Sequence, residues 1–470
     1  MGHSRCAILL FDGARFDVWT GLLSAGRLPN ISRYILSSGS FLKGYSTLPT
    51  TTGPAHVPFL YGVFAGKAGV PGIRWFDKSR AGGRLFTRAV MRSYVGTGCF
   101  AMGQDIGDCY VPLYDYFKRP ANIFGHLDAN RSVRLRTNRL QKTLYYVRAH
   151  RTNEWDLVDA AAAKEAGKRL RRGDDFVFSL FPGIDELTHL HDPTHDTVLR
   201  QYERLDAMVG ELARSLPAEE LSQILFFIVS DHGLTATHTH VPLVALAEAT
   251  GHTPIFFPRI RRRHYDLAIL ESGNALASVY FMQPVGNRPA FYREIVSADR
   301  NRRFLDTLLD HAGIDFLAYR IDHSVLGVSG RDGDLMLDFG EPPFVNLSVQ
   351  GSNPLEFDVD GGKMSVPESL ERTRHTNYPD SVMQLLQLFS SHRTGDVVVF
   401  PKEGYDLRAR YEWPEHKSSH GSLAKAHMEV PVCTNLKVSA STCRTVDVFP
   451  TVLADTGRAI RGNVDGQVLL

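Results

Sequence analysis

Five short stretches of this 470-residue chain combine side chains that bind cations with one that attacks an electrophile. They are Asp12-Gly13, the PTTTGPAH run Pro49–His56, the DELTH run Asp185–His189, the SDHG run Ser230–Gly233 and the HGS run His420–Ser422. Imidazole and carboxylate ligands without thiolate suit Zn²⁺, with Mn²⁺ and Fe²⁺ as alternatives, and two such ions need about three protein ligands each. Asp12, Asp185, His189, Asp231, His232 and His420 meet that count, and Thr52 offers a hydroxyl. Taken singly, each stretch has a plainer reading. Asp-Gly is most often a turn, and an Asp and a His four apart often share a helix face in a surface pair. Thr50 and Thr51 compete with Thr52 as N-cap hydroxyls for a helix that Pro54 can open, and such a helix start would turn backbone N–H groups towards an anion.

The elements that must position these residues are short and apolar. Cys6–Phe11, Val177–Phe181 and Ile224–Ser230 read as strands buried on both faces, with Asp12, Asp185 and Asp231 at or just beyond their carboxyl ends. Between them Val198, Tyr202, Leu205, Met208, Val209 and Leu212 recur at helical spacing, predicting a helix over Asp196–Leu212. Alternating strands and helices predict an α/β fold with a mostly parallel central sheet flanked by helices, in which ligands gather beyond the carboxyl ends of the strands. From residue 251 the chain becomes rich in Pro, Arg and turns, which predicts an inserted cap over 251–394 and a core made of 1–250 and 395–470. The helix Ser381–Phe389 and the strand Val397–Phe400 are expected to mark the return to that core.

Bulk composition excludes some classes. A net charge of +2 with 43% hydrophobic and 22% charged residues is that of an ordinary soluble protein, neither disordered nor built to coat a polyanion. Nucleic acid and membrane are therefore not expected as partners. The Arg259–His264 run reads as a solvated face or an interface. Five unclustered cysteines without CxxC spacing suggest neither a disulfide framework nor a thiolate metal site, and fit a reducing, cytoplasmic setting. Cys6–Phe11 is shorter than the roughly 7–15 residues of a signal-peptide core, and Ile224–Val229 is far short of a membrane span.

The five stretches, in this order, resemble the motifs of the alkaline phosphatase superfamily, and within it the type I phosphodiesterase/nucleotide pyrophosphatase family. The tail Arg444–Gly457 is similar to that family's closing strand and helix. The resemblance implies one metal held by Asp185, His189 and His420 and another by Asp12, Asp231 and His232, with Thr52 bridging to the second as nucleophile. It favours Thr52 over its neighbours because Pro54 and His56 follow at two and four residues. It also implies two divalent ions, a phosphothreonine intermediate and a small phosphate-ester substrate.

Two positions depart from the pattern. Ala55 stands where Asn is usual, and Gly72-Ile73-Arg74-Trp75 stands where a Gly-Asn supplies an amide to the phosphoryl oxygen. Arg74 thus becomes the candidate phosphoryl contact, with Trp75 and Phe76 beside it as a wall for an apolar ester arm. The Cys-x-Pro-x-Arg-like motif of sulfatases is absent around Thr52, and the cofactor-independent mutases use Ser and a longer ligand set. The expected activity is phosphodiester or pyrophosphate hydrolysis. A phosphomonoesterase of the same superfamily is the second reading, and a catalytically silent metal-binding protein the third. His191, His195, His238 and His240 are expected to support the site or face solvent, and His427 to orient a ligand or cap a strand.

Overall fold

The computed structural model describes residues 2–80, 90–127, 136–259, 264–284, 286–408 and 415–470. Its centre is the set of apolar runs expected from the sequence. Arg5–Phe11, Phe176–Phe181 and Ile224–Val229 lie side by side and parallel within an eight-stranded sheet, and apart from Arg5 at the start every residue of the three is buried. Such runs lack a polar face, so they are stable only where both sides of the sheet are covered. The register sets Phe11 opposite Phe181 and Leu10 opposite Val229, so the three strands end nearly level. Across the sheet the order is Thr442–Arg444, Ser40–Tyr45, Glu429–Thr434, Ile224–Val229, Arg5–Phe11, Phe176–Phe181, Pro120–Ile123, Arg136–Thr137. Only Glu429–Thr434 runs antiparallel to its neighbours, so the sheet is mostly parallel as expected. Among the covering helices, Asp196–Arg214 buries Val198, Tyr202, Leu205, Val209 and Leu212, two residues longer than the sequence predicts.

A second, nine-stranded sheet runs in the order Pro254–Phe256, Leu267–Glu271, Ala277–Phe281, Val397–Pro401, Ile314–Arg320, Val325–Gly330, Gly333–Asp338, Phe344–Gly351, Lys363–Ser365. The strand expected at Val397–Phe400 belongs to this second sheet and not to the first. Val397–Pro401 lies in the middle of this second sheet, paired antiparallel with Ala277–Phe281 and Ile314–Arg320. The helix Ser381–Phe389 packs Val382, Leu385 and Leu388 into the same core as Phe316, Val398 and Phe400. An apolar VVVF run is equally at home in either sheet, and only tertiary pairing decides which. Ile260 and Arg261–Arg263 lie outside the described residues, and Arg259 is exposed.

A buried ion pair fastens the second sheet to the segment after Trp75. Asp396 accepts from the Lys78 ammonium at 2.8 Å and from the amides of Phe281 and Ala290, both at 2.8 Å. Burial lowers the pKa of Lys78, and Asp396 opposes that shift. Asp396→Ala would strand a buried ammonium and two amides, so urea unfolding should show a loss of about 3–5 kcal/mol. A loss under about 1 kcal/mol would mean that the pair is solvated.

Candidate active site

The level ends of the three central strands bring their acids together. Asp12 follows the first strand directly, Asp231 lies two residues beyond Ile224–Val229, and Asp185 sits in the first turn of the helix Gly183–Leu190. The turn between Asp12 and the next helix requires glycine. Gly13 has φ +75°, and a Cβ there would lie 2.8 Å from the Cα of Asp185. The helix carrying Asp185 is seated by Asp159, which accepts from the Gly183 amide at 3.2 Å and the Gln201 amide at 2.6 Å. Burial pushes the Asp159 carboxyl up to about 7.

His189 follows one turn after Asp185, with Nε2 3.4 Å from its Oδ2, and His420 Nε2 lies 3.9 Å from Oδ1 of the same carboxylate. On the other side His232 Nε2 is 3.5 Å from both Asp12 Oδ1 and Asp231 Oδ2. Ligand atoms of Asp185, His189 and His420 all fall within 4.8 Å of one another, as do those of Asp12, His56 and Asp231 and those of Asp12, Asp185 and His232. The His232 and His420 rings stack between the groups, with centroids 3.9 Å apart and planes 8° from parallel.

Three features fit this cluster to cations. First, each imidazole faces a backbone carbonyl with Nδ1: His189 to Ser418 at 3.0 Å, His420 to Thr50 at 2.9 Å and His232 to Gly233 at 3.3 Å. That anchoring leaves Nε2 as the lone-pair donor towards the carboxylates, the arrangement usual for metal-bound histidine. Second, Asp185 Oδ1 is buried without a hydrogen-bond partner. Third, like charges are crowded. Burial, then Asp231 and Asp185, push the Asp12 carboxyl well up. Asp231 is equally buried, yet His232 and the hydrogen bond from His56 outweigh that and hold it low. Burial, then His232 and His189, push His420 well down, so its ring is neutral and free to ligate. His189 is pulled the other way: burial lowers it, but Asp185 outweighs that and holds it up to about 9.

Only one threonine of the PTTT run reaches the cluster. Thr52 Oγ1 donates to Asp12 Oδ1 at 3.2 Å and lies 3.1 Å from His232 Nε2. Thr50 Oγ1 is occupied by the Ser422 carbonyl and the Gly421 amide, while Thr51 Oγ1 is buried with no partner. The expected helix start after Thr52 is instead a turn of 3-10 helix, Pro54–His56, leading into the short helix Val57–Tyr61. The Ala55 and His56 amides are spent inside that turn, on the Thr51 and Gly53 carbonyls, because a tight turn closes its own hydrogen bonds.

The remaining candidates separate. Arg74 begins the strand Arg74–Phe76, half-buried, with its guanidinium 4.7 Å from the Phe257 ring centroid. The same stretch touches the loop behind His420: Ile73 N–H donates to Ser272 Oγ at 3.2 Å, and Gly273 O accepts from His420 N at 2.9 Å. Trp75 and Phe76 are no pocket wall. Both are core residues, and the Trp75 indole donates to Tyr94 Oη. His191 and His195 stack on each other at 4.4 Å, and His240 bonds Asp406 and Glu415. Neither these nor His238 joins a ligand group among the described residues. Two residues escaped the sequence reading. His56, used there only to fix register, is fully buried with Nε2 3.1 Å from Asp231 Oδ2. His416 stacks on His189 at 4.3 Å, where burial and His189 push it down to about 2. Its sequence signal was nothing more than a lone His four residues before His420.

The model of the type I phosphodiesterase/nucleotide pyrophosphatase family matches residues 6–423. The chain belongs to that family. It is thus a phosphoric ester hydrolase of the alkaline phosphatase superfamily, and of the metal-dependent kind. Similar solved structures include an inactive murine ectonucleotide pyrophosphatase/phosphodiesterase 5 in complex with AMP, 12% identical, with a TM-score of 0.58 over 98% of this chain and 97% of that one. A phosphonoacetate hydrolase from Sinorhizobium meliloti in complex with phosphonoformate is also 12% identical, with a TM-score of 0.56 over 97% and 96%. No curated protein matches the chain. Among the described residues no helix is long and apolar enough to cross a membrane.

Elemental analysis of protein saturated with Zn²⁺ or Mn²⁺ and freed of excess should find about two ions per chain, one for each ligand group. Asp185→Asn and Asp231→Asn should each lower that number. One ion or none in the saturated wild type would contradict the grouping.

Proposed function

We propose that this chain hydrolyses a small phosphoric ester through a phosphothreonine intermediate on Thr52, at a site holding two divalent ions, Zn²⁺ first among them. The observation that carries this reading is the placement of Thr52 Oγ1 against both Asp12 and His232. Asp185, His189 and His420 would hold one ion, and Asp12, Asp231 and His232 the other. Bound there, two cations supply charge that lowers the cost of an alkoxide nucleophile and of the negative oxygens around phosphorus.

The chain's own residues do the rest. Thr52 Oγ gives up its proton towards Asp12 Oδ1 and forms a bond to phosphorus, while the bond from phosphorus to the ester oxygen breaks and the leaving group departs, taking that proton where it leaves as the alcohol. Water then attacks phosphorus from the face the leaving group left, the bond to Thr52 Oγ breaks, and a proton lost by the water restores the hydroxyl as the phosphorylated product is released. His56, holding Asp231 from behind, keeps that carboxylate aimed at the cluster.

Substrate choice is assigned to Arg74 and the segment of the second sheet around Phe257. A diester is the first reading, on family grounds. A monoester or phosphonate dianion is the second, favoured by a guanidinium near the loop of His420 where the family pattern has an amide, because a forked cation rewards a group with three free oxygens. A cytoplasmic setting is proposed from the cysteines, none of the five forming a disulfide, with Cys109 exposed.

Thr52→Ala should lower turnover on any accepted ester by at least about a thousandfold while leaving metal content intact, and Thr52→Ser should keep part of the activity. An active Thr52→Ala beside an inactive Thr51→Ala would overturn the assignment. In paired assays of aryl monoesters and diesters, Arg74→Ala should cost the monoester more, by about 1–3 kcal/mol in kcat/KM. Equal losses on both would remove Arg74 from phosphoryl contact.

A further inference from the structure

His427 takes no part in the site described so far, yet it lies between the two loops that carry its histidines. Its ring is fully buried, as are Thr235 and Ser422. Nε2 lies 2.8 Å from Thr235 Oγ1, three residues beyond His232, and Nδ1 lies 2.9 Å from Ser422 Oγ, two residues beyond His420. The Ser422 amide also points at Nδ1, at 3.4 Å, so Nδ1 is the acceptor and Nε2–H donates to Thr235. The carbonyl of His427 accepts from the Gly233 amide at 3.0 Å. The packing beneath is close, since a Cβ on Gly233 would fall 2.1 Å from the Ala426 carbonyl oxygen.

The loops so joined come from different parts of the fold. Asp231-His232 ends a central strand of the first sheet, whereas His420 is bridged to Asn274, in the loop between two strands of the second. A loop-to-loop distance of this kind is not fixed by either sheet alone. Each end of the His427 ring is satisfied by one loop, and both rings that it supports stack at 3.9 Å.

We propose that His427 is a positioning residue that sets the spacing of the two metal groups, through Thr235 for the Asp12, Asp231, His232 group and through Ser422 for the Asp185, His189, His420 group. The inference rests on the two-metal reading above. It predicts that the two links can be cut separately. His427→Asn keeps a polar atom near the Nδ1 position and loses Thr235, whereas His427→Gln reaches the Nε2 position and loses Ser422.

The test is the Zn²⁺ occupancy of each site, refined from anomalous diffraction of crystals equilibrated at limiting metal, with Zn²⁺ affinity measured by chelator competition and the melting temperature of the metal-free protein. His427→Asn should weaken chiefly the site of Asp231 and His232, and His427→Gln chiefly the site of His420, each by about 10–100-fold, the usual cost of losing a group behind a ligand. Thr235→Val and Ser422→Ala should reproduce the same split, which covers the case in which a ring substitution fails to fold. A purely structural role would lower the metal-free melting temperature and weaken both sites alike in every variant, and that result would overturn the proposal. So would wild-type affinity at both sites in all folded variants. A wild type that binds no metal would instead sink the two-metal reading itself.

Discussion

The fold forces three carboxylates, Asp12, Asp185 and Asp231, into one buried pocket, and most of what surrounds them answers the repulsion that follows. Two unit charges about 4 Å apart at an effective dielectric near 20 repel by roughly 4 kcal/mol, which rivals the net stability of many domains. The acids therefore cannot be held by their own contacts. They are held by three parallel strands, covered on both faces, whose register brings their carboxyl ends nearly level. The imidazoles are fixed the same way, through Nδ1 on backbone carbonyls, so their orientation is set by the backbone, which suits the cations proposed above.

This division of labour explains what could be read from sequence. Strand cores show as apolar runs, and the acids lie one or two residues beyond their ends, so the positions of Asp12, Asp231 and the strands beneath them were legible together. Thr52 was legible only through its distance from Pro54 and His56; nothing in three consecutive threonines says that Thr50 turns to Ser422 and Thr51 into the core. The second sheet was less legible because its membership is a matter of pairing. Val397–Pro401 has the same texture as a strand of the first sheet, and its true neighbours, Ala277–Phe281 and Ile314–Arg320, are distant in sequence. Trp75 and Phe76 were misplaced for a related reason: large aromatics beside a polar candidate suit a pocket wall and a core equally, and burial is decided by what packs on the far side.

The second sheet also proves less separable from the chemistry than an inserted cap would be. The loop after Leu267–Glu271 lies against His420: Gly273 accepts from the His420 amide, and the Ala275 amide donates back to its carbonyl at 2.9 Å. Gly273 is required there, since its φ is +64° and a Cβ would sit 2.5 Å from the His420 carbonyl oxygen. The proposed ligand His420 is thus held where the two sheets touch, whereas Asp12 and Asp231 lie at strand ends of the first sheet.

The similar solved structures are 12% identical to this chain and align over nearly all of it, so the fold is kept at low sequence identity. On the two-metal reading proposed above, the metal groups and Thr52 would contact only a tetrahedral phosphoryl or phosphonyl centre, and discrimination among esters would come from groups that reach past it. Near the contact of the two sheets those are Arg74, from a short hairpin, and Phe257, from the second sheet. Neither is fixed by the register of the central strands. On that reading the strand ends would constrain the reaction and the second sheet the substrate.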